Sequence, residues 1–123
     1  MSSDGNLLKD RLKAFNYAFR GFWSLISTEK SIKIQILIAV LMTAIGFFMK
    51  ISAAEWMFQF VAIGLVLVAE SLNTAIERMA DFIHPDFHKK IGLIKDIAAG
   101  AVFFAAIIAI IIGLIIYVPK FIL

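Results

Sequence analysis

Residues 56–81 read WMFQFVAIGLVLVAESLNTAIERMAD, an almost unbroken apolar run that ends in acids and an amide. The first half is greasy enough to dissolve in lipid, while the second carries Glu70, Asn73, Glu77 and Asp81. On a helix turning about 100° per residue, these four fall at roughly 0°, −60°, −20° and +20°, an arc of about 80° on one face. With Trp56 as an interfacial anchor, Glu70 lies about 21 Å along the axis, some 9 Å short of the far edge of a hydrocarbon core about 30 Å thick. Its carboxylate is therefore expected inside the membrane, close to one surface. Burial there costs about 2.5–3.5 kcal/mol on insertion scales, and such residues ordinarily mark a site or a pathway. The plainer alternative is polar glue between helices. Glue needs one or two polar groups, and this face carries four.

The composition agrees with a membrane solvent. The chain has 123 residues and is 62% hydrophobic, with a mean hydropathy of +0.94, well above the 45–50% apolar content of soluble domains. Three apolar runs joined by short connections leave room for one small bundle, residues 1–123, and for no second folded unit. No cysteine is present, which excludes disulfides, thiol nucleophiles and thiolate metal sites. A net charge of +3 fits lipid headgroups and topology in such a chain, so no nucleic-acid partner is inferred. MSSDGNLLKDRLK lacks the apolar core of a secretory signal, and the mature chain is expected to begin at or near Met1.

Working outward, Leu8, Leu12, Phe15, Phe19, Phe22 or Trp23, and Ile26 recur every three or four residues, opposite Lys9, Lys13, Asn16 and Arg20. That pattern predicts an amphipathic helix over 6–27 lying in the membrane interface, with packing on a soluble partner as the alternative. Transmembrane helices are expected at 30–49, 54–81 and 96–118, the first starting at Thr28 or Ser31. Ile97 to Val118 carries no charge, and Pro119 and Lys120 should close it. HPDFHKK (84–90) is the clear breaker, because Pro85 disfavours helix at His84. His84 and His88 are four apart, but Pro85 on a loop between them argues against zinc.

Ten of the 12 lysines and arginines lie before the first span or between the second and third, and only Lys50 and Lys120 lie elsewhere. By the positive-inside rule the N-terminus and the second loop are cytoplasmic. Glu29 and Asp96 then share the depth of the acidic face. Several carboxylates and a few cations at a lipid boundary suit Mg²⁺ with phosphate, since Mg²⁺ commonly takes one or two carboxylates plus phosphate oxygens. Lys95 could neutralise phosphate. Neither G-x-x-x-x-G-K-[ST] nor G-x-G-x-x-G occurs, so a nucleotide would be held without those cradles. The competing class is a small ion or proton conductor, in which the acids line a pathway. Against it, Val61 to Ala69 and the external half of every span are expected to be apolar.

These residues resemble the small bacterial membrane kinases that include diacylglycerol kinase and undecaprenol kinase. The resemblance runs from about Arg11 to Lys120. Its specific parts are E-x-x-N-T-A-I-E-x-x-x-D, here Glu70 to Asp81, and K-D-x-A-A-G-A-V, here Lys95 to Val102. The NTAIE wording and the IIGLIIYVPK ending (111–120) are similar to the undecaprenol branch. The resemblance implies a homotrimeric bundle of three-span subunits, each with a surface helix, in the bacterial inner membrane. It implies an ATP- and Mg²⁺-dependent kinase that phosphorylates the hydroxyl of a membrane lipid alcohol, undecaprenol or diacylglycerol, at the cytoplasmic face. By the same resemblance Glu70 is the catalytic base, and Glu29 and Glu77 bind metal. Asn73, Lys95 and Asp96 are implied to be polar active-site residues, with Asp81 as a further acid of the motif, and Tyr17, Asp86 and His88 to belong to the region covering the nucleotide. Phe15 and Ala18 depart from the smaller or hydroxylated residues that relatives often carry, so no adenine contact is carried over there.

Overall fold

The computed structural model describes residues 4–122. They form four helices: α1 (Asp4–Thr28), α2 (Lys30–Met49), α3 (Ala53–Ile83) and α4 (Lys89–Ile122). The last three are each long and apolar enough to cross a membrane. The protein is thus an all-α membrane protein with three candidate spans. Helix is the only open-ended way to satisfy a backbone in lipid, and side-chain hydroxyls follow the same rule. Thr43 Oγ1 donates to the Ala39 carbonyl (2.8 Å) and Ser71 Oγ to the Leu67 carbonyl (2.7 Å).

Helix α4 begins at Lys89 and runs through Pro119 to Ile122, well beyond the expected 96–118. The apolar run marks the lipid-soluble part of the helix and does not set its ends. At its start the Lys90 N–H donates to His88 Nδ1 (3.1 Å), an N-terminal cap that lets the basic first turns form. At its end Pro119 does not stop the helix; its ring keeps a helical φ, and its costs, one lost backbone donor and crowding at the carbonyl four residues back, fall within a turn of the helix end.

A single residue separates α1 from α2. Glu29 is extended (φ −90°, ψ 115°), and the bonds Glu29 N–H to Leu25 O (3.0 Å) and Lys33 N–H to Glu29 O (3.1 Å) straddle it. Neither Thr28 nor Ser31 caps α2, since the residue in the capping position is Glu29. The Thr28 hydroxyl instead donates to the Ser24 carbonyl (2.5 Å), and the Glu29 carboxylate is held by α3.

The turn between α2 and α3 is tight. Lys50 is left-handed (φ 52°, ψ 52°), its N–H bonding Phe47 O (3.3 Å) while Ile51 N–H bonds Gly46 O (3.2 Å), the paired closure typical of helix C-termini. Ser52 then opens α3 with a reciprocal capping box to Glu55.

Packing is uneven. Helices α3 and α4 lie along one another, α2 leans on α3 over fewer positions, and α1 touches chiefly α2. A consolidated apolar cluster sits where α2 ends and α3 begins: Ile51, Ile116 and Tyr117, flanked by Met42, Met49, Trp56 and Ile112. Of the small residues at the start of α4, only Ala98 is buried, and Ala99 and Ala101 face outward. The chain exposes 9562 Å², whereas a compact soluble chain of this mass exposes about 6600 Å². Lipid or other subunits must cover that excess apolar surface.

Candidate active site

The acidic face lies at the α3 C-terminal end, beside the starts of α2 and α4. Asn73 is buried at 8% exposure and Thr74 at 5%, while Glu70 is half-buried and Glu77 exposed. Helical spacing explains this gradient, since Asn73 turns toward α4 and Glu77 comes one turn nearer the helix end. Asn73 Nδ2 donates to Glu77 Oε1 (3.1 Å). Asn73 Oδ1 is buried without a hydrogen-bond partner among the described residues, which is costly for a carbonyl oxygen in a dry site. The Glu70 side chain makes no hydrogen bond or ion pair among the described residues.

Two other acids are matched by cations from neighbouring elements. Arg78 Nη2 is paired with Glu29 Oε1 and lies 3.4 Å from Thr28 Oγ1. Lys95 of α4 is paired with Asp81 of α3. These contacts bring Glu29, Arg78, Asp81 and Lys95 to one end of the bundle, next to the Asn73–Glu77 pair. No group of three or more His, Asp or Glu side chains is close enough to share a metal ion among the described residues. Arg78 was not singled out by sequence reasoning. The signal was its place one residue after Glu77, which turns it toward the α1–α2 junction.

The remaining candidates serve local structure. Tyr17 is exposed on α1 with Arg20 stacked over its ring at 5.6 Å. The Asp86 carbonyl accepts from His84 Nδ1 (2.7 Å) and His88 caps α4; the two imidazole rings meet edge to face at 5.1 Å. The carbonyl partner makes His84 Nδ1 a donor, whereas the Lys90 N–H makes His88 Nδ1 an acceptor. Asp96 is exposed on α4.

An apolar groove of about 420 Å³ runs between α3 and α4, bordered by Leu72, Ile76, Ala98, Ala101 and Phe104, with Asn73 as the polar side chain on its rim. At the opposite end of the bundle the expectation that the external half of every span is apolar is corrected. Gln59 is buried at 5% exposure; its Nε2 donates to the Met42 carbonyl (3.1 Å), and its Oε1 accepts from the Tyr117 hydroxyl (2.5 Å). Beyond it, Lys120 Nζ reaches both Glu55 oxygens at 3.0 Å. A lone amide in WMFQFV was the available signal.

The carboxylates and the orphaned Asn73 oxygen are hard donors and fit a divalent cation such as Mg²⁺ that completes its shell with phosphate and water. Residues 16–117 match the prokaryotic diacylglycerol kinase family. The chain is 40% identical over 115 residues to undecaprenol kinase of Bacillus subtilis, covering 94% of each chain. It is 31% identical over 103 residues to a diacylglycerol kinase of Synechocystis, covering 83% of this chain and 59% of the relative. Identity to the diacylglycerol kinase of Escherichia coli is 28% over 100 residues, 81% of this chain and 82% of the relative.

Proposed function

The chain belongs to the prokaryotic diacylglycerol kinase family, and from that membership we propose that it transfers the γ-phosphate of ATP to the hydroxyl of a membrane lipid alcohol. The observation that carries the reading is Glu70. It is a half-buried carboxylate with no cation or hydrogen-bond donor of its own among the described residues, one turn from the buried amide that holds Glu77. A base needs this freedom, because a carboxylate already bound to a cation is a poorer proton acceptor.

In this mechanism Glu70 takes the proton of the acceptor hydroxyl as the hydroxyl oxygen attacks the γ-phosphorus, and the bond from that phosphorus to the β–γ bridging oxygen breaks to release ADP. Glu29 and Glu77 would hold Mg²⁺, with Asn73 Oδ1 as a further oxygen donor. Bound there, Mg²⁺ supplies charge neutralisation for the triphosphate. Lys95 would leave Asp81 to meet phosphate oxygens, and Asp96, Tyr17, Asp86 and His88 would border the nucleotide. Helix α1, with Leu8, Leu12, Phe15 and Phe19 exposed, would lie in the membrane interface and floor the site. The lipid would enter sideways along the α3–α4 groove, its tail against Ala98, Ala101 and Phe104 and its hydroxyl toward Asn73 and Glu70. The family resemblance implies a homotrimer, in which neighbouring subunits would share with lipid the covering of the apolar surface that one chain leaves bare. Lysine and arginine placement supports a cytoplasmic N-terminus and a site at the inner face of the bacterial cytoplasmic membrane.

Undecaprenol is the substrate we propose, because the undecaprenol kinase of Bacillus subtilis shares 40% identity over 94% of both chains. A conductor is less well supported. From Phe60 to Ala69, α3 carries only apolar side chains between Gln59 and Glu70, so no relay joins the two polar ends along that helix. Purified protein in nanodiscs with Mg²⁺ and γ-labelled ATP tests the proposal. Labelled undecaprenyl phosphate should form faster than labelled phosphatidate from diacylglycerol. Failure to label either alcohol would sink the kinase reading, and faster labelling of diacylglycerol would reverse the substrate choice.

A further inference from the structure

Arg78 is the one cation of α3, and the proposed mechanism leaves it without a task. It points away from the Glu70 face, about 80° around the helix, and reaches across to the elbow between α1 and α2. There it pairs with the Glu29 carboxylate and approaches the Thr28 hydroxyl at 3.4 Å. The elbow has little else to fix it, since α1 touches chiefly α2. Arg78 itself is half open, its side chain 55% exposed against 25% for Glu29. A carboxylate in this state cannot give the same oxygen fully to a guanidinium and to a metal ion. The two cations compete.

We infer that Arg78 is a positioning residue that holds Glu29 against α3 in the metal-free protein and is displaced when a divalent cation takes that carboxylate, so that Arg78 sets how much free metal the site requires. This rests on the proposed assignment of Glu29 as a metal ligand. Because the pair is broken when the ion binds, it stabilises the metal-free state and lowers metal affinity by its own strength. For partly exposed ion pairs that strength corresponds to about a two- to fivefold change in an equilibrium constant. Arginine suits this role because its planar fork holds a carboxylate in one orientation, whereas lysine offers a point charge on a more pliable stem.

The test is Mn²⁺ binding in the absence of nucleotide, followed by electron paramagnetic resonance on detergent-purified full-length protein at fixed ionic strength. Native protein, Arg78→Gln, Arg78→Lys, Glu29→Gln and the Glu29→Gln/Arg78→Gln double variant are compared. Arg78→Gln should bind Mn²⁺ about two- to fivefold tighter, and Arg78→Lys should return affinity toward native. A merely structural role for Arg78 would weaken binding instead. In the double variant the gain should vanish. Equal or weaker binding by Arg78→Gln while Glu29→Gln weakens binding overturns this inference and leaves the metal assignment standing. A gain that survives in the double variant also overturns it, since Arg78 would then act through general charge. If Glu29→Gln alone leaves Mn²⁺ affinity unchanged, Glu29 is no ligand and both the assignment and the inference fall. Should Arg78→Gln fail to yield folded protein, Arg78→Lys decides: affinity more than a little below native contradicts the displacement model, and affinity at or slightly above native supports it.

Discussion

Asn73 gives an amide hydrogen to Glu77 across one turn of α3 and leaves its own carbonyl oxygen buried with no partner among the described residues. Folding stability does not explain this arrangement, because an unsatisfied buried acceptor costs about 1–3 kcal/mol. Proteins keep such defects where a ligand completes them. Asn73→Leu, which replaces the amide with an apolar group of similar volume, should therefore leave the thermal unfolding midpoint unchanged or raise it. Lipid phosphorylation should fall by about 10²-fold or more, the usual effect of removing a group aimed at developing charge. Loss of stability with full activity would make Asn73 a packing residue and remove it from the site.

Glu70 sits differently, half-buried and without a partner among the described residues. Glu70→Gln keeps the shape and removes the proton acceptor. Stability should not change, since no ion pair is lost. Turnover should drop by about 10²- to 10⁴-fold, the range for general base catalysis, with the KM for Mg-ATP little altered. A fall in turnover explained by a raised KM would move Glu70 from the acceptor side of the reaction to the nucleotide side.

The acidic arc was legible in the sequence because helical periodicity is a strong rule for long apolar segments. What each acid touches was not legible. Glu29 and Lys33 share a helix spacing that suggests a local pair, yet Glu29 is held by Arg78 from α3, 49 residues away. Tertiary geometry decided between the two available cations. Helix ends were hidden for a related reason: hydropathy marks where lipid begins, while His88 and the capping of Lys90 decide where α4 begins. The Gln59–Tyr117 bond joins residues 58 apart, and neither residue carries a pattern that points to the other.

That buried bond makes its own prediction. Tyr117→Phe leaves Gln59 Oε1 without its donor in a site only 5% exposed, and should destabilise the protein by about 1 kcal/mol. In a double-mutant cycle with Gln59→Leu, the coupling should be about 0.6 kcal/mol and no more than about 1.7, the range for polar contacts between membrane helices. Turnover should be unaffected, because the pair lies at the bundle end away from Glu70. Additive single effects in an unfolding assay would mean that the two side chains do not depend on one another.

Gly46 supplies the sharpest test of how α2 meets α3. A β-carbon at this buried position would lie 2.7 Å from Trp56 Cη2 and 3.1 Å from both Trp56 Cζ2 and Ile51 Cδ1. The indole has little room to retreat, since Phe47 lies against it with ring centroids 4.8 Å apart and Ile51 belongs to the cluster with Ile116 and Tyr117. Overpacking of this kind costs about 1–3 kcal/mol, while alanine's better helix propensity returns about 1 kcal/mol. Gly46→Ala should therefore destabilise the protein by up to about 2 kcal/mol, with turnover of the surviving folded fraction unchanged. Trp56→Phe removes the ring tip that clashes. Alone it should be destabilising, because it leaves a cavity; on the Gly46→Ala background it should cost less or restore stability. That non-additivity, read from thermal or denaturant unfolding of the four proteins, separates a steric contact from a general loss of packing. Equal effects of Trp56→Phe in both backgrounds would show that the indole does not rest on Gly46.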